Sequence, residues 1–295
     1  MVAGKLTGLS ERSSDIILVV LCSVFLFLVA YPLYYVLIAS VSNPYDVYAG
    51  KTFLLPSQFT LEGYKAVFAD SSILTGLVNS FKYTIIGTVF SVVILYLAAY
   101  PLSVRDLPGR KWLSLFFIIT MYFGGGMVPT YLVVKQTGLI NNIWSLFLPG
   151  GVGVGNMIIV RNFFENSIPK EMIEAAEIDG ASKWTTFIKI VVPLSRFIMV
   201  VFSMVAYWND WFTAMIYLPS PSRAPLPLVL RNILIKSSAS ASQASTISGG
   251  FAELNRMTEL IKFSSIIVAA APMLAIYPFV QKYFEKGFMA GAVKG

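Results

Sequence analysis

Few residues in this chain are of a type that does chemistry. Histidine is absent and Cys22 is the single cysteine. That removes disulfides, cysteine-rich metal sites and imidazole acid–base chemistry within one chain. No GxxxxGK[ST] loop occurs, so hydrolysis of a nucleotide would need another protein. Two polar clusters remain. The first is Tyr207-Trp208-Asn209-Asp210-Trp211, where Asp210 is the one acid well inside an apolar run. A carboxylate there is costly enough to mark a functional candidate. It either lines a pathway, with the tryptophans as stacking platforms, or makes a structural hydrogen bond to a neighbouring span beside ordinary interfacial aromatics.

The second cluster runs from Glu171 to Trp184 and on to Pro193. Pro169 suits a first helical turn, Glu171 and Glu174 place acid near the positive end of a helix, and Gly180 offers a stop with positive φ. The spacing predicts a short helix whose Met172, Ala175 and Ala176 share one side, the alanines leaving its backbone open to close approach. A further turn or two, from Ser182 to Lys189, follows the glycine. Pro169 and Pro193 are expected to break the chain on either side.

The elements that must hold these clusters are membrane spans. With 56% apolar and 13% charged residues and a mean hydropathy of +0.72, the chain has too little polar surface to coat a soluble globule. Uncharged runs long enough to cross about 30 Å of hydrocarbon predict an all-α integral membrane protein with six transmembrane helices. The spans fall near residues 16–38, 73–104, 112–134, 143–160, 197–218 and 263–280, with a cytoplasmic segment at 161–196 and external loops at 40–72 and 219–262. The whole chain, 1–295, reads as one transmembrane domain. The first run is too long for a signal-peptide core and lacks a small-residue cleavage site, so it is expected to stay as an anchor.

Breaks are expected where glycines sit at membrane depth. Gly124-Gly125-Gly126 with Pro129 interrupts the third span, by a broken helix beside a cavity or by close helix packing. Pro149 and the glycines after it lie in the fourth span and lack the context of a dinucleotide fingerprint. The loop after span five is first proline-rich, then rich in serine and alanine, and that second part reads as mobile. With both termini inside, most of the 22 basic residues fall in cytoplasmic segments, as the positive-inside bias requires. The net charge of +7 therefore needs no nucleic acid partner.

Glu174-Ala175-Ala176, three residues, Gly180, nine residues, Ile190, one residue, then Val192-Pro193 resembles the "EAA" signature of the membrane subunits of bacterial ABC importers. The usual ending is Ile-x-Leu-Pro, and Val192 keeps an apolar residue there. The whole length is similar to carbohydrate-importer permeases of the maltose type. Met121 to Leu132 and Gly138 to Trp144 resemble the branch that handles oligosaccharides, with an alginate-oligosaccharide importer as one member.

The resemblance implies a type I importer permease, not an enzyme, in the bacterial inner membrane with both termini cytoplasmic. It implies a coupling helix seated on a separate ATPase through Glu171, Glu174, Ala175, Ala176, Asp179, Gly180, Ile190 and Pro193. ATP and magnesium would be held by two such ATPase subunits, and none by this chain. A second homologous permease would complete the pathway, and an extracytoplasmic binding protein would dock on the 219–262 loop. In that loop Arg223, Arg231, Lys236 and Arg256 outnumber the acids. Such a surface would steer an anionic ligand or complement an acidic binding protein. The rival reading is a proton-coupled secondary transporter using Asp210. It predicts several intramembrane ionisable groups and an inverted repeat, where the chain offers one acid and no clear repeat.

Overall fold

A computed structural model describes residues 3–243 and 261–278. The helices are α1 (Ala3–Ser40), α2 (Pro44–Tyr48), α3 (Glu62–Ala69), α4 (Ser71–Ser103), α5 (Arg110–Tyr122), α6 (Met127–Gln136) and α7 (Val154–Asn166). They continue with α8 (Lys170–Ile178), α9 (Lys183–Thr186), α10 (Val192–Trp208), α11 (Phe212–Tyr217) and α12 (Leu226–Gln243). The last, α13, is Ile261–Pro278. Three helices among the described residues, α13 and the stretches Asp15–Ser40 and Ser71–Ser103, are long and apolar enough to cross a membrane. Two bent pairs raise the number to five by length and composition.

The chain divides into two units, Met1–Asp70 with Ile233–Val268 and Ser71–Asn232 with Ala269–Gly295. In the first, the apolar side chains of α1 from Ile16 to Tyr34 are exposed, as suits a lipid-facing helix. Its far end is tied down by Tyr34 Oη, which donates to the Leu54 carbonyl at 2.5 Å, and by Ser264 Oγ, which donates to the Ser40 carbonyl at 3.3 Å.

In the second unit α4 is the axis. Gly76, Ser80, Gly87, Ser91 and Ala99 all lie on its buried side, and small residues in such a row let other backbones come close. At Gly87 an added Cβ would stand 2.9 Å from Cε1 of Phe147 and from both Cδ atoms of Tyr207. Neither ring can give way, because Phe147 is fully buried and Tyr207 is held by a 2.6 Å hydrogen bond to Ser91.

Three departures from the sequence reading have physical reasons. Residues 143–160 are not one helix: a 3-10 turn at Ile143–Leu146 is followed by irregular chain through Gly153. Pro149 and its glycines disfavour helix, so α7 starts only at Val154 and runs past residue 160 to Asn166. The third span is interrupted where expected, bending by 107° between α5 and α6, at glycines of which Gly126 takes φ +82°. Residues 197–218 break between Trp208 and Phe212. Finally, the stretch beginning at Pro219 is not a loose loop. Ala224, Leu226, Leu228 and Val229 are buried, and α12 carries the serine/alanine stretch to Gln243.

Gly87→Ala is expected to destabilise the fold by about 1–3 kcal/mol through overpacking. The melting temperature of the detergent-solubilised protein should fall. An unchanged value would show that the Phe147 and Tyr207 rings can move.

Candidate functional site

The polar segment after α7 is built as a rod between two anchored roots. At its start Pro169, at φ −58°, leads into α8 with Glu171 in the first turn. At its end the Ala181 N–H reaches the Ala176 carbonyl at 2.9 Å and the Gly180 N–H the Glu177 carbonyl at 3.0 Å. These are the two bonds of a Schellman stop, which needs a left-handed residue between them. Gly180 supplies it with φ +75°, and a Cβ there would meet nothing within 4 Å. Backbone conformation, not space, is what favours glycine at this position. Ser182 then caps α9 by accepting the Thr185 N–H at 3.1 Å.

Burial divides the sides of α8 differently from the expected set. Ile173 and Ala176 are half-buried, while Met172, Glu174, Ala175, Ile178 and Asp179 are exposed. Ala176 thus belongs to the inward side, where Ile173 packs on the main apolar core, and the outward side is Met172, Ala175 and Ile178. Ile178 is 87% exposed and Trp184, just beyond the turn, 59%, which is unusual for apolar side chains beside so many charges. Glu177 pairs with Lys183 across the corner between α8 and α9, and that contact holds the Lys183 ammonium above its ordinary range.

Both roots attach to the core formed by Leu95, Tyr96, Ala99, Phe164, Phe187 and Val191 with their neighbours. On the exit side the Tyr100 hydroxyl donates to the Lys183 carbonyl at 3.0 Å and the Tyr96 hydroxyl to the Ser195 carbonyl at 2.6 Å. On the entry side Glu165, near the end of α7, receives Arg110 from α5 and Arg161 at 2.8 Å. Arg110 Nε also donates to the Leu102 carbonyl of α4 at 2.7 Å, and Arg161 reaches Ser114 Oγ at 3.2 Å. Sequence reasoning missed this cluster. The i, i+4 spacing of Arg161 and Glu165 was its only local signal, and Arg110 comes from a distant turn.

Pro193 does not end the segment. The Val192 N–H bonds to the Phe187 carbonyl, closing a wide π turn over Phe187–Val191 that contains half-buried Ile190. Pro193 sits in the first turn of α10, where a missing N–H is tolerated. The change of direction, 65°, lies beyond it, between Ser195 and Met199.

The aromatic cluster is partly structural. Trp208 is buried and donates its indole N–H to the Ala269 carbonyl at 3.2 Å, with Phe81 edge-on at 5.1 Å. Asn209 Nδ2 donates to the Val205 carbonyl at 2.9 Å. Asp210 accepts the Thr213 N–H at 3.0 Å, so it caps α11, a role that neither sequence alternative named. Trp211 lies under the Arg231 guanidinium, whose carbon is 4.6 Å from the ring centre. Arg223 is exposed, although its carbonyl accepts from Tyr83 at 2.9 Å. Lys236 falls on α12, and Arg256 lies outside the described residues.

This is the architecture of a membrane permease that offers a polar rod at one end. Residues 73–289 match the family described as "Binding-protein-dependent transport system inner membrane component". The chain belongs to that family, and as a transport permease it is not itself an enzyme. It is 38% identical over 290 residues to the polygalacturonan/rhamnogalacturonan transport system permease protein YtcP of Bacillus subtilis (strain 168), covering 97% of this chain and 100% of that one. It is 37% identical over 267 residues to Protein LplC of the same strain, covering 90% and 89%. Its fold matches a chain of a bacterial ABC transporter involved in the import of the acidic polysaccharide alginate. That match has a TM-score of 0.82 at 29% identity and covers 93% of this chain and 98% of that one.

Glu165→Ala leaves two guanidinium groups facing each other without their carboxylate. It should cost about 2 kcal/mol, the partial exposure of the cluster reducing the full buried-pair value. A thermal melt of the purified protein checks this, and an unshifted melt would show that the three charges hold nothing together.

Proposed function

We propose that this chain is one of two permease subunits of an ATP-driven importer of oligosaccharides, with acidic ones as the preferred class. It crosses the bacterial inner membrane six times with both termini in the cytoplasm. The 161–196 segment faces a separate ATPase, which holds ATP and magnesium. A binding protein delivers the sugar from outside. Membership of the family supports the binding-protein dependence. The galacturonan and alginate named for two similar proteins are uronate polymers and support the substrate class.

The observation that carries the coupling role is α8 itself: Met172, Ala175 and Ile178 are exposed on one side of a helix whose other side and both roots are fixed to the core. An apolar strip rimmed by Glu171, Glu174 and Asp179 is suited to a protein groove. When ATP closes the ATPase dimer, a rod held at both roots passes the movement to the spans as a rigid body. Asp210 takes no part in proton coupling in this account, because its carboxylate is engaged in ending a helix break.

Ile178→Asp should insert normally yet lower the yield of co-purified ATPase at least tenfold, since about 1.5–3 kcal/mol of apolar burial is lost and a charge is buried. Glu174→Lys should leave the subunit inserted but uncouple it, with substrate-stimulated ATP hydrolysis lost. Wild-type co-purification and hydrolysis in both variants would refute the docking role of α8.

A further inference from the structure

Contacts along α4 define two ends of the second unit. Asn79, Ser80 and Tyr83 hold the 222–226 segment, while Tyr96 and Tyr100 hold 183–195. From Asn79 to Tyr100 the helix rises roughly 30 Å. The acids, though not the cations, are sorted between these ends. Within residues 71–232 six of the seven acids, Asp106, Glu165, Glu171, Glu174, Glu177 and Asp179, belong to the α8 end. The opposite end carries Lys82, Lys135, Arg223 and Arg231, all but half-buried Arg231 exposed, against Asp210 alone. Asp210 is engaged with the Thr213 N–H.

Eight of the twelve cations of residues 71–232 lie at the α8 end, as the bias that keeps Lys and Arg on the cytoplasmic side requires, so positive charge at the opposite end needs another reason. Burial does not account for it, and no described acid neutralises it: the four ion pairs found among the described residues are Lys51–Asp46, Arg110–Glu165, Arg161–Glu165 and Lys183–Glu177. Of the four cations, Arg231 is the one whose position is fixed. Its guanidinium lies over the Trp211 indole at 4.6 Å, and Phe212 stands edge-on to that indole at 5.5 Å. A contact between the guanidinium carbon and a ring uses none of the group's planar N–H fork. That fork fits a carboxylate in a bidentate pair. The helix break at Asn209–Trp211 brings Trp211 out of the α10 ladder, and burial of Ala224, Leu226, Leu228 and Val229 fixes the start of α12, which carries Arg231.

We propose that Arg231, held over Trp211, is a carboxylate-reading site for the uronate units of the transported oligosaccharide, and that Lys82, Lys135 and Arg223 supply a positive field around it. This inference rests on the oligosaccharide-import reading above and adds to it the residue that selects acidic sugar. A charge-assisted bidentate pair discriminates against a neutral ester of the same shape, because the ester cannot accept both N–H groups with a full charge.

The test is uptake by the complete complex, permeases, ATPase and binding protein together, reconstituted in liposomes. The probes are trigalacturonate and its methyl ester, supplied at equal concentration. Wild type should favour the acid. Arg231→Gln should lower the acid-to-ester uptake ratio about tenfold, as expected for loss of one charged hydrogen-bonded pair, with ester uptake unchanged. Arg231→Lys, which keeps the charge and loses the planar fork, should fall between. Equal loss of both substrates in Arg231→Gln would overturn the proposal and give Arg231 a structural role. A weakened affinity of the complex for its binding protein, with the ratio kept, would also overturn it and assign the carboxylate to that protein. A wild-type complex that takes up only the ester overturns this proposal alone. One that takes up neither overturns the import reading as well.

Discussion

A nine-residue helix such as α8 is too short to hold itself together in water, so its shape and direction depend on what grips its ends. Here the grip is a set of hydrogen bonds and ion pairs that converge on the last turns of α4. Tyr96 and Tyr100 hold the exit root at backbone carbonyls, and Arg110 joins the Leu102 carbonyl to Glu165 at the entry root. The apolar core of α4, α7 and the π turn fills the space between. Protein interiors this closely packed move as bodies and do not bend smoothly. A push on α8 is therefore felt by α4.

The remainder of the second unit follows from the same helix. Its row of small residues lets Phe147, Tyr207 and the 224–229 turn approach its backbone. That row places the break at Asn209–Trp211 and the start of α12 at the end far from α8. One axis thus presents an acidic, partly apolar rod at one end and a cationic, aromatic cluster at the other. The first has the chemistry to dock a protein and the second the chemistry to receive an anion.

Local signals carried α8 into the sequence: Pro169, the acidic first turn and Gly180 each act within a few residues, and the structure builds the helix from those same positions. The long uncharged run of α4 was legible for the same reason. What could not be read needed a third dimension. Ala176 turns inward because Ile173 finds the core there, and no periodicity over nine residues separates it from Ala175. Pro193 reads as a breaker, yet the π turn before it absorbs the missing N–H. Residues 143–160 are apolar enough for a span, but Pro149, Gly150, Gly151 and Gly153 make helix a poor choice in the first part. The Glu165 cluster and the pairing of Trp211 with Arg231 join residues far apart in sequence, and a single chain gives no hint of such partners.

The account turns on α8 being a surface rod on the cytoplasmic side. Replacing Cys22, the single native cysteine, by serine and placing a cysteine at Ala175 allows the rod to be probed directly with a membrane-impermeant maleimide. The account predicts labelling in inside-out vesicles, none in right-side-out vesicles, and protection when the ATPase subunits are bound. Labelling from the outer side, or equal labelling with and without the ATPase, would contradict it.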